Sequence, residues 1–204
     1  TMLHIVYGGS ASGKSSYAES FAMSLQGEGR LLYIATMYPY KWNTTEIDPE
    51  TMQRIERHRA MRADKGFDTV ECYRHVEHIV LLLECMSNLL ANEMYLEQDS
   101  DDGGLAETMS EVEKAGVGMS ETLSPVSNKI VQALVNLSTR VQDVVIVTND
   151  VFSDGGSLTY DESTREYVKN LAEINCALAR VAETVTEVVC GIPVIVKKNH
   201  PMGK

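Results

Sequence analysis

The chain has 204 residues, 44% of them hydrophobic and 23% charged, a composition typical of a globular protein and far from that of disordered chains. Its net charge of -11 argues against a nucleic-acid partner, because phosphate backbones require a cationic surface. No apolar run approaches the roughly 20 residues that span a bilayer, and no signal-like segment is present, so we expect no membrane span and a cytoplasmic location. We expect a single domain over residues 1–204.

The first predicted strand, residues 2–7, leads into a glycine-rich segment and then into a helix that reaches Leu25. The segment fits the phosphate-binding loop pattern Gly-x4-Gly-Lys-Ser as Gly8-Gly9-Ser10-Ala11-Ser12-Gly13-Lys14-Ser15. Glycines allow backbone N–H groups to turn toward phosphate oxygens, and the N-terminus of the following helix adds partial positive charge. Lys14 is expected to reach the β- and γ-phosphates, while the Ser15 hydroxyl binds Mg²⁺.

A second strand is predicted over residues 31–36, and a helix begins at Asp48-Pro49 and runs to about residue 64. Between residues 54 and 65 this helix carries five cationic and two acidic residues, a local charge of +3. His58 lies four residues after Arg54 and four before Arg62, so the three can share one face. The pattern alone also fits a solvated basic helix with an incidental histidine. A histidine among arginines in a nucleotide-binding protein favours, instead, a histidine that attacks phosphorus.

Two candidate carboxylates follow buried strands. Residues 79–84 form an apolar run that ends in Glu84, the pattern of a Walker B strand, and residues 144–148 form another that precedes Asp150. A carboxylate at the end of such a strand can hold Mg²⁺ directly or through water, and the immediate position of Glu84 favours it over Asp150. His75 and His78, on a brief predicted helix after the strand 67–72, fit ordinary histidines better than a metal pair.

The rest of the chain continues the alternation of strands and helices. Helices are predicted over residues 88–96, 125–141 and 161–183, a loop over 151–158, and two short apolar strands within 187–196, split by Gly191 and Pro193. The acidic segment at about 97–124 is expected to be a surface excursion without catalytic residues. Such alternation predicts an α/β fold with a mainly parallel sheet and helices on both faces.

Seven motifs in this order resemble one family, and they cover nearly all of the chain apart from the acidic segment. The motifs are the loop Gly8 to Ser15, Tyr33-Ile34-Ala35-Thr36, Arg54-Ile55-x-x-His58-Arg59, Leu82-Leu83-Glu84-Cys85 with Asn88 and Asn92, Val147-Thr148-Asn149-Asp150-Val151, Ile174-Asn175, and Gly191-Ile192-Pro193. Together they resemble the bifunctional adenosylcobinamide kinase / adenosylcobinamide-phosphate guanylyltransferase family of cobalamin biosynthesis.

The resemblance implies a RecA-like P-loop fold, a homotrimer, Mg²⁺ and two reactions. A nucleoside triphosphate, ATP or GTP, phosphorylates adenosylcobinamide. GTP then guanylylates a histidine, which falls on His58, and the GMP passes to adenosylcobinamide phosphate. Besides the loop, the resemblance implies nucleotide contacts at Thr36, Met37, Tyr38, Arg59, Ala60, Met61, Arg62, Glu71 and Glu84.

Two departures from the family pattern and two rival functions stand beside this resemblance. Ala11 occupies a loop position where many members have arginine, and Asp48-Pro49-Glu50-Thr51-Met52 shifts the family's Asp-x-Glu-Met by one residue.

One rival is a simple P-loop kinase of a small metabolite, which forms no covalent adduct. The other is a regulator that binds GTP without turning it over.

Overall fold

The computed structural model of the chain describes residues 2–26, 31–41, 44–71, 82–96, 123–151 and 160–199. Strands and helices alternate through these ranges. They are β1 (Met2–Gly8), α1 (Lys14–Leu25), β2 (Leu31–Ala35), α2 (Pro49–Arg62), β3 (Phe67–Glu71), β4 (Leu82–Glu84), α3 (Met86–Tyr95), α4 (Pro125–Arg140), β5 (Asp143–Asn149), α5 (Glu162–Val181), β6 (Thr184–Val189) and β7 (Ile192–Lys198).

The seven described strands form one sheet in the order β3-β2-β4-β5-β1-β6-β7. Every neighbouring pair is parallel except β6 and β7. The phosphate-binding loop leaves β1 at the carboxyl edge of the sheet, with β5 on one side and β6 on the other. Ligands of open α/β sheets bind at such an edge, where the chain turns to opposite sides of a strand. The predicted α/β fold with a mainly parallel sheet is confirmed.

Alternating side chains of the buried strands build two hydrophobic cores, one on each face of the sheet. In β5, Val144 and Ile146 belong to the core shared with α3, α4 and α5, whereas Val145 and Val147 belong to the core shared with α1. This division follows from the period of two in a β-strand. The predicted placement of helices on both faces is therefore confirmed, and the cores fix the strand ends that carry polar residues.

Three helices begin where the sequence predicts, and side-chain caps explain why. Asp48, Ser124 and Asp161 each accept a hydrogen bond from the backbone N–H three residues later. Such a cap stabilises a helix by about 1 kcal/mol, because it satisfies an N–H group that has no partner within the helix. The helix that carries His58 is α2, and the cap at Asp48 fixes the residue at which this helix begins. It ends at Arg62 rather than near residue 64.

The C-terminal strands differ from the prediction of two short strands within 187–196. Helix α5 ends at Val181, and β6 already begins at Thr184 because Thr184, Val185 and Thr186 favour extended backbone. Pro193 does not split the strands but lies inside β7, paired with Val188. A proline is tolerated there because β7 is an edge strand, which does not need every N–H group for the sheet.

Several sequence predictions fall on residues outside the described ranges. These are His75 and His78, the start of the predicted strand 79–84, most of the acidic segment 97–124 and all but the first residue of the loop 151–158. The single-domain organisation stays a prediction. Within the described ranges, no helix combines the length and apolar character needed to cross a bilayer.

A buried polar cluster joins β1, β5 and β6 away from the phosphate-binding loop. His4 is 3% exposed, with Nδ1 2.9 Å from Thr184 Oγ1 and Nε2 3.3 Å from Asp143 Oδ1. Because a carboxylate only accepts, Nε2 carries the hydrogen and Nδ1 accepts one from Thr184. Burial lowers the pKa of His4 below its usual 6.5, and this outweighs the opposing effect of Asp143.

This lowered pKa predicts a loss of stability in acid. Below pH 6.5 the unfolded chain takes up a proton at residue 4 that the folded chain resists, so the free energy of unfolding falls as the pH drops toward the folded-state pKa. The slope is at most about 1.4 kcal/mol per pH unit for one group. Urea unfolding of wild type and His4→Gln between pH 7.5 and 5 measures it. Identical pH dependence in the two proteins would contradict the assignment.

Candidate active site

The phosphate-binding loop has a backbone that depends on its glycines. Gly13 has a φ of 89°, in the left-handed region, and a Cβ on it would come 3.2 Å from the Cα of Gly191. At Gly8, a Cβ would meet the Val188 carbonyl oxygen at 2.5 Å. Side chains at either position would therefore push the loop away from the neighbouring strand.

The turn between β6 and β7 braces this loop. The N–H of Gly191 donates to the carbonyl oxygen of Ser12 at 2.7 Å, and Gly191 also packs against Gly13. In the sequence, Gly191 is visible as a break between strands and as part of the motif Gly191-Ile192-Pro193. The contact joins residues far apart in the chain, so no local pattern indicates it.

A cleft of about 510 Å³ lies over the carboxyl edge of the sheet, a size suited to a nucleotide-sized ligand. The loop, α2 and the ends of β4 and β5 line it. Twelve of the predicted site residues line it: Ser10, Ala11, Ser12, Gly13, Lys14, Ser15, Met37, His58, Arg59, Met61, Arg62 and Glu84. Arg54 and Arg62 line the cleft with His58, so the face inferred from their spacing exists.

Other predicted contacts lie outside the cleft lining. Thr36 is buried beneath it, where its hydroxyl donates to the carbonyl oxygens of Glu84 and Cys85. Tyr38 packs edge-on against Tyr40, with ring centroids 5.4 Å apart. Gly8, Gly9 and Ala60 do not line the cleft, and the backbone of Glu71 ends β3. An apolar strand followed by a threonine does not show how deeply the threonine is buried. The sequence alone therefore could not place Thr36 outside the cleft lining.

Buried polar groups in the cleft have unused hydrogen-bonding capacity. Arg62 is 5% exposed, and its Nε and Nη1 atoms have no hydrogen-bond partner among the described residues. The same holds for the buried Ser12 hydroxyl within the described part of the chain. Because buried donors without partners are costly, these groups fit an anion that supplies acceptor oxygens. Lys14 lines the same cleft, and its Nζ donates to the Gly9 carbonyl oxygen at 3.0 Å, within its own loop.

His58 lies in the cleft against the end of β4. Its Nδ1 is 3.4 Å from Oε1 of Glu84, close enough for electrostatic contact, but the angles do not make a hydrogen bond. Nδ1 is buried, whereas the whole side chain is 26% exposed, so the accessible part of the ring lies away from Nδ1. The histidine thus presents its outer edge to the cleft and its inner edge to a carboxylate.

Tyr33, which the sequence indicates only as part of a buried strand, is a further residue of this site. Its hydroxyl donates a short hydrogen bond to Oε2 of Glu84, and the Arg62 guanidinium carbon lies 3.4 Å from the ring centroid. Burial, and then the Glu84 charge, raise the pKa of Tyr33, so the phenol keeps its proton and stays a donor. Tyr33 also lines the cleft.

Asp150, the carboxylate that the sequence favours less than Glu84, also lines the cleft. Its N–H donates to the Gly8 carbonyl oxygen at 3.0 Å, which fixes its backbone beside the start of the loop. Nearby, the Asn149 amide donates to the Ser87 hydroxyl at 2.6 Å. Hydroxyl and carboxylate oxygens suit Mg²⁺, and Ser15, Glu84 and Asp150 bring them to one cleft. No group of three or more His, Cys, Asp or Glu suited to a metal occurs in the described ranges.

Comparisons with known proteins found a family model and solved structures similar to this chain. A family model described as cobinamide kinase / cobinamide phosphate guanyltransferase matches residues 4–196. No curated protein matches the chain. Among solved structures, it is similar to the flagellar accessory protein FlaH from Methanocaldococcus jannaschii, at 14% identity over 97% of this chain and 79% of that one, with a TM-score of 0.46. It is also similar to a second solved structure, an ATPase domain, at 10% identity over 91% and 68% of the two chains, with a TM-score of 0.43.

Proposed function

Because the chain belongs to the cobinamide kinase / cobinamide phosphate guanyltransferase family, a family of cobalamin biosynthesis, we propose that it phosphorylates adenosylcobinamide and then transfers GMP to the product through a covalent intermediate on His58. The observation that carries the proposal is the shared cleft: His58 and the phosphate-binding loop line the same cavity. The proposed nucleophile and the proposed triphosphate site therefore share one cleft.

The kinase reaction follows from the loop. The backbone N–H groups between Gly8 and Ser15 and the start of α1 hold the triphosphate, with Lys14 leaving the Gly9 carbonyl for phosphate oxygens. The hydroxyl of adenosylcobinamide attacks the γ-phosphorus, the bond to the β-γ bridging oxygen breaks, and the hydroxyl proton passes to water. The nucleoside diphosphate then leaves. The triphosphate for this step is ATP or GTP.

Guanylyl transfer uses His58 in two displacements. A ring nitrogen forms a bond to the α-phosphorus of GTP while the bond to the α-β bridging oxygen breaks and pyrophosphate leaves. A phosphate oxygen of adenosylcobinamide phosphate then attacks the same phosphorus and releases the histidine. The Arg62 donors that lack partners among the described residues would stabilise the charge on the phosphoryl oxygens in both displacements.

We further propose that Mg²⁺ is held by Ser15 and Glu84, directly or through water, and that it neutralises phosphate charge when bound. Glu84 faces both Tyr33 and His58, but each carboxylate oxygen keeps a further lone pair for a water molecule. The proposed nucleotide contacts outside the cleft lining are Gly8, Gly9, Thr36, Tyr38, Ala60 and Glu71. The net charge of -11 argues against nucleic acid, and small anionic substrates would meet the local positive charge of residues 54–65. We propose a cytoplasmic location.

Product analysis tests the two reactions together. The protein is incubated with Mg²⁺, GTP and adenosylcobinamide, and the corrinoids are separated and weighed by mass spectrometry. We expect adenosylcobinamide phosphate first and adenosylcobinamide-GDP later, with one pyrophosphate released per GMP transferred. Accumulation of adenosylcobinamide phosphate alone, without release of pyrophosphate, would support the simple kinase instead.

We also propose the trimer that the resemblance implies. Among the described residues, the edge strand β7 has exposed apolar side chains that suit self-association. Its side chains Ile192, Val194, Ile195 and Val196 are all more than 40% exposed on an edge strand. We expect wild type to sediment at three times the mass of its 22.6 kDa chain and Val194→Lys/Val196→Lys to sediment as a monomer. Met23→Lys, at an exposed position of α1, is the matched control. A monomeric wild type would contradict the trimer.

A further inference from the structure

We propose that Tyr33 is a positioning residue for the guanylyl-transfer reaction and that the adduct forms on Nε2 of His58. In this arrangement the Tyr33 hydroxyl fixes the Glu84 carboxylate, whose charge favours the hydrogen on the facing Nδ1 of His58 and leaves the Nε2 lone pair free to attack phosphorus. The inference rests on the proposed covalent intermediate and adds to it the nitrogen that reacts and the residues that select it.

The choice of nitrogen follows from burial. Nδ1 of His58 is buried and faces Oε1 of Glu84 at 3.4 Å, so neither a phosphorus atom nor its in-line leaving group fits on that side. A carboxylate has no hydrogen to give, and a neutral imidazole has one hydrogen for its two nitrogens. When that hydrogen is on Nδ1, the nitrogen that faces Glu84, Nε2 has the free lone pair and is the nucleophile.

The role of Tyr33 follows from the second oxygen of the same carboxylate. The Tyr33 hydroxyl donates to Oε2, and this bond fixes the rotation of the carboxylate about its last side-chain bond. Tyr33 is 3% exposed, the Arg62 guanidinium lies over its ring, and Phe67 packs against it in a T-shaped arrangement with ring centroids 6.0 Å apart. A ring packed in this way cannot follow the carboxylate, so Tyr33 sets where Oε1 lies.

The backbone below the carboxylate is fixed as well. Thr36 Oγ1 contacts the carbonyl oxygen of Glu84 at 3.0 Å and accepts from the Cys85 N–H at 2.8 Å. Glu84 is therefore constrained at its main chain by Thr36 and at its carboxylate by Tyr33. Carboxylates that orient metal-bound histidines act in this way, and their loss lowers metal affinity or activity by about 10- to 100-fold.

Formation of the GMP adduct on His58 needs no reactant other than GTP. Nε2 bonds to the α-phosphorus, the α-β P–O bond breaks, and its electrons leave with pyrophosphate. The ring then carries a positive charge, which the adjacent Glu84 carboxylate stabilises while the Nδ1 hydrogen stays between them. When the acceptor phosphate attacks, the P–N bond breaks and the lone pair returns to Nε2.

The test compares wild type, Tyr33→Phe and Tyr17→Phe. Tyr17 lies on α1 outside the cleft lining and stacks on Phe21, so its variant removes a phenol hydroxyl away from the site. Three quantities are measured: the single-turnover rate of GMP adduct formation with Mg²⁺ and GTP, the rate of the kinase reaction, and the ring nitrogen that bears phosphorus. The last comes from nitrogen–phosphorus coupling in the NMR spectrum of protein labelled with ¹⁵N-histidine.

We expect wild type and Tyr17→Phe to carry GMP on Nε2 and to react at equal rates. Tyr33→Phe should form the adduct about 10- to 100-fold more slowly, with part of it on Nδ1, and its kinase rate should fall by less than its adduct rate. A wild-type adduct on Nδ1, an unchanged adduct rate in Tyr33→Phe, or equal loss of both activities in that variant would overturn the inference. Absence of any adduct in wild type would instead overturn the proposed function itself.

Discussion

His58→Ala abolishes GMP transfer and leaves the kinase reaction intact. Removing the nucleophile leaves no nitrogen to accept the α-phosphorus, so we expect adduct formation and pyrophosphate release to fall by roughly 10³-fold or more. The triphosphate still binds the loop after β1, which does not depend on the imidazole. With adenosylcobinamide and GTP, the variant should therefore stop at adenosylcobinamide phosphate, as chromatography of the corrinoids will show.

The control for this variant is Glu56→Ala, which changes an exposed residue of the same helix outside the cleft lining. It should carry out both reactions at the wild-type rate. If His58→Ala still makes adenosylcobinamide-GDP at a rate near that of wild type, His58 is not the nucleophile. If it loses both reactions and also its thermal transition, the variant has unfolded. His58→Asn, which keeps a polar side chain there, then replaces it.

Lys14→Met, in contrast, lowers both reactions. Lys14 is 9% exposed, and its Nζ is held by the Gly9 carbonyl within the loop, ready to turn to a phosphate. Methionine keeps the apolar stem of the side chain and removes the charge, so the loop retains its packing. Because one cleft contains both the loop and His58, we expect kinase and transferase rates to fall by about 10²- to 10³-fold.

Lys169→Met is the matched control, because the Lys169 side chain is 72% exposed on α5 and pairs with Glu173 at 3.8 Å, outside the cleft lining. It should leave both rates unchanged. A Lys14→Met protein that loses the kinase but keeps adduct formation would show that GTP for the second reaction binds away from the loop. The single-cleft account would then be wrong.

The features that the sequence predicted correctly are those with local signals. The loop Gly8 to Ser15 is a contiguous pattern, and the start of α2 depends on Asp48 and Pro49, which are adjacent. Glu84 was predicted because a strand end is visible in an apolar run. The spacing that placed Arg54, His58 and Arg62 on one face needs only the period of a helix.

The features that the sequence missed depend on contacts between distant parts of the chain. Tyr33 and Glu84 are 51 residues apart and meet only because β2 and β4 are neighbours in the sheet. The support of Ser12 by Gly191 needs the order β1-β6-β7, which a local pattern does not contain. The antiparallel β7 was missed because regular alternation of strands and helices favoured parallel pairing. The hairpin turn around Gly191 was the available signal.

The most direct measurement is a search for GMP on His58. The protein is incubated with Mg²⁺ and GTP and kept at neutral or basic pH, because a phosphoramidate is labile in acid. Intact-mass and peptide mass spectrometry then follow. The account predicts a mass increase of one GMP on the peptide that contains His58, lost in His58→Ala. GTP that remains bound and intact with no adduct would contradict the covalent mechanism and favour a simple kinase.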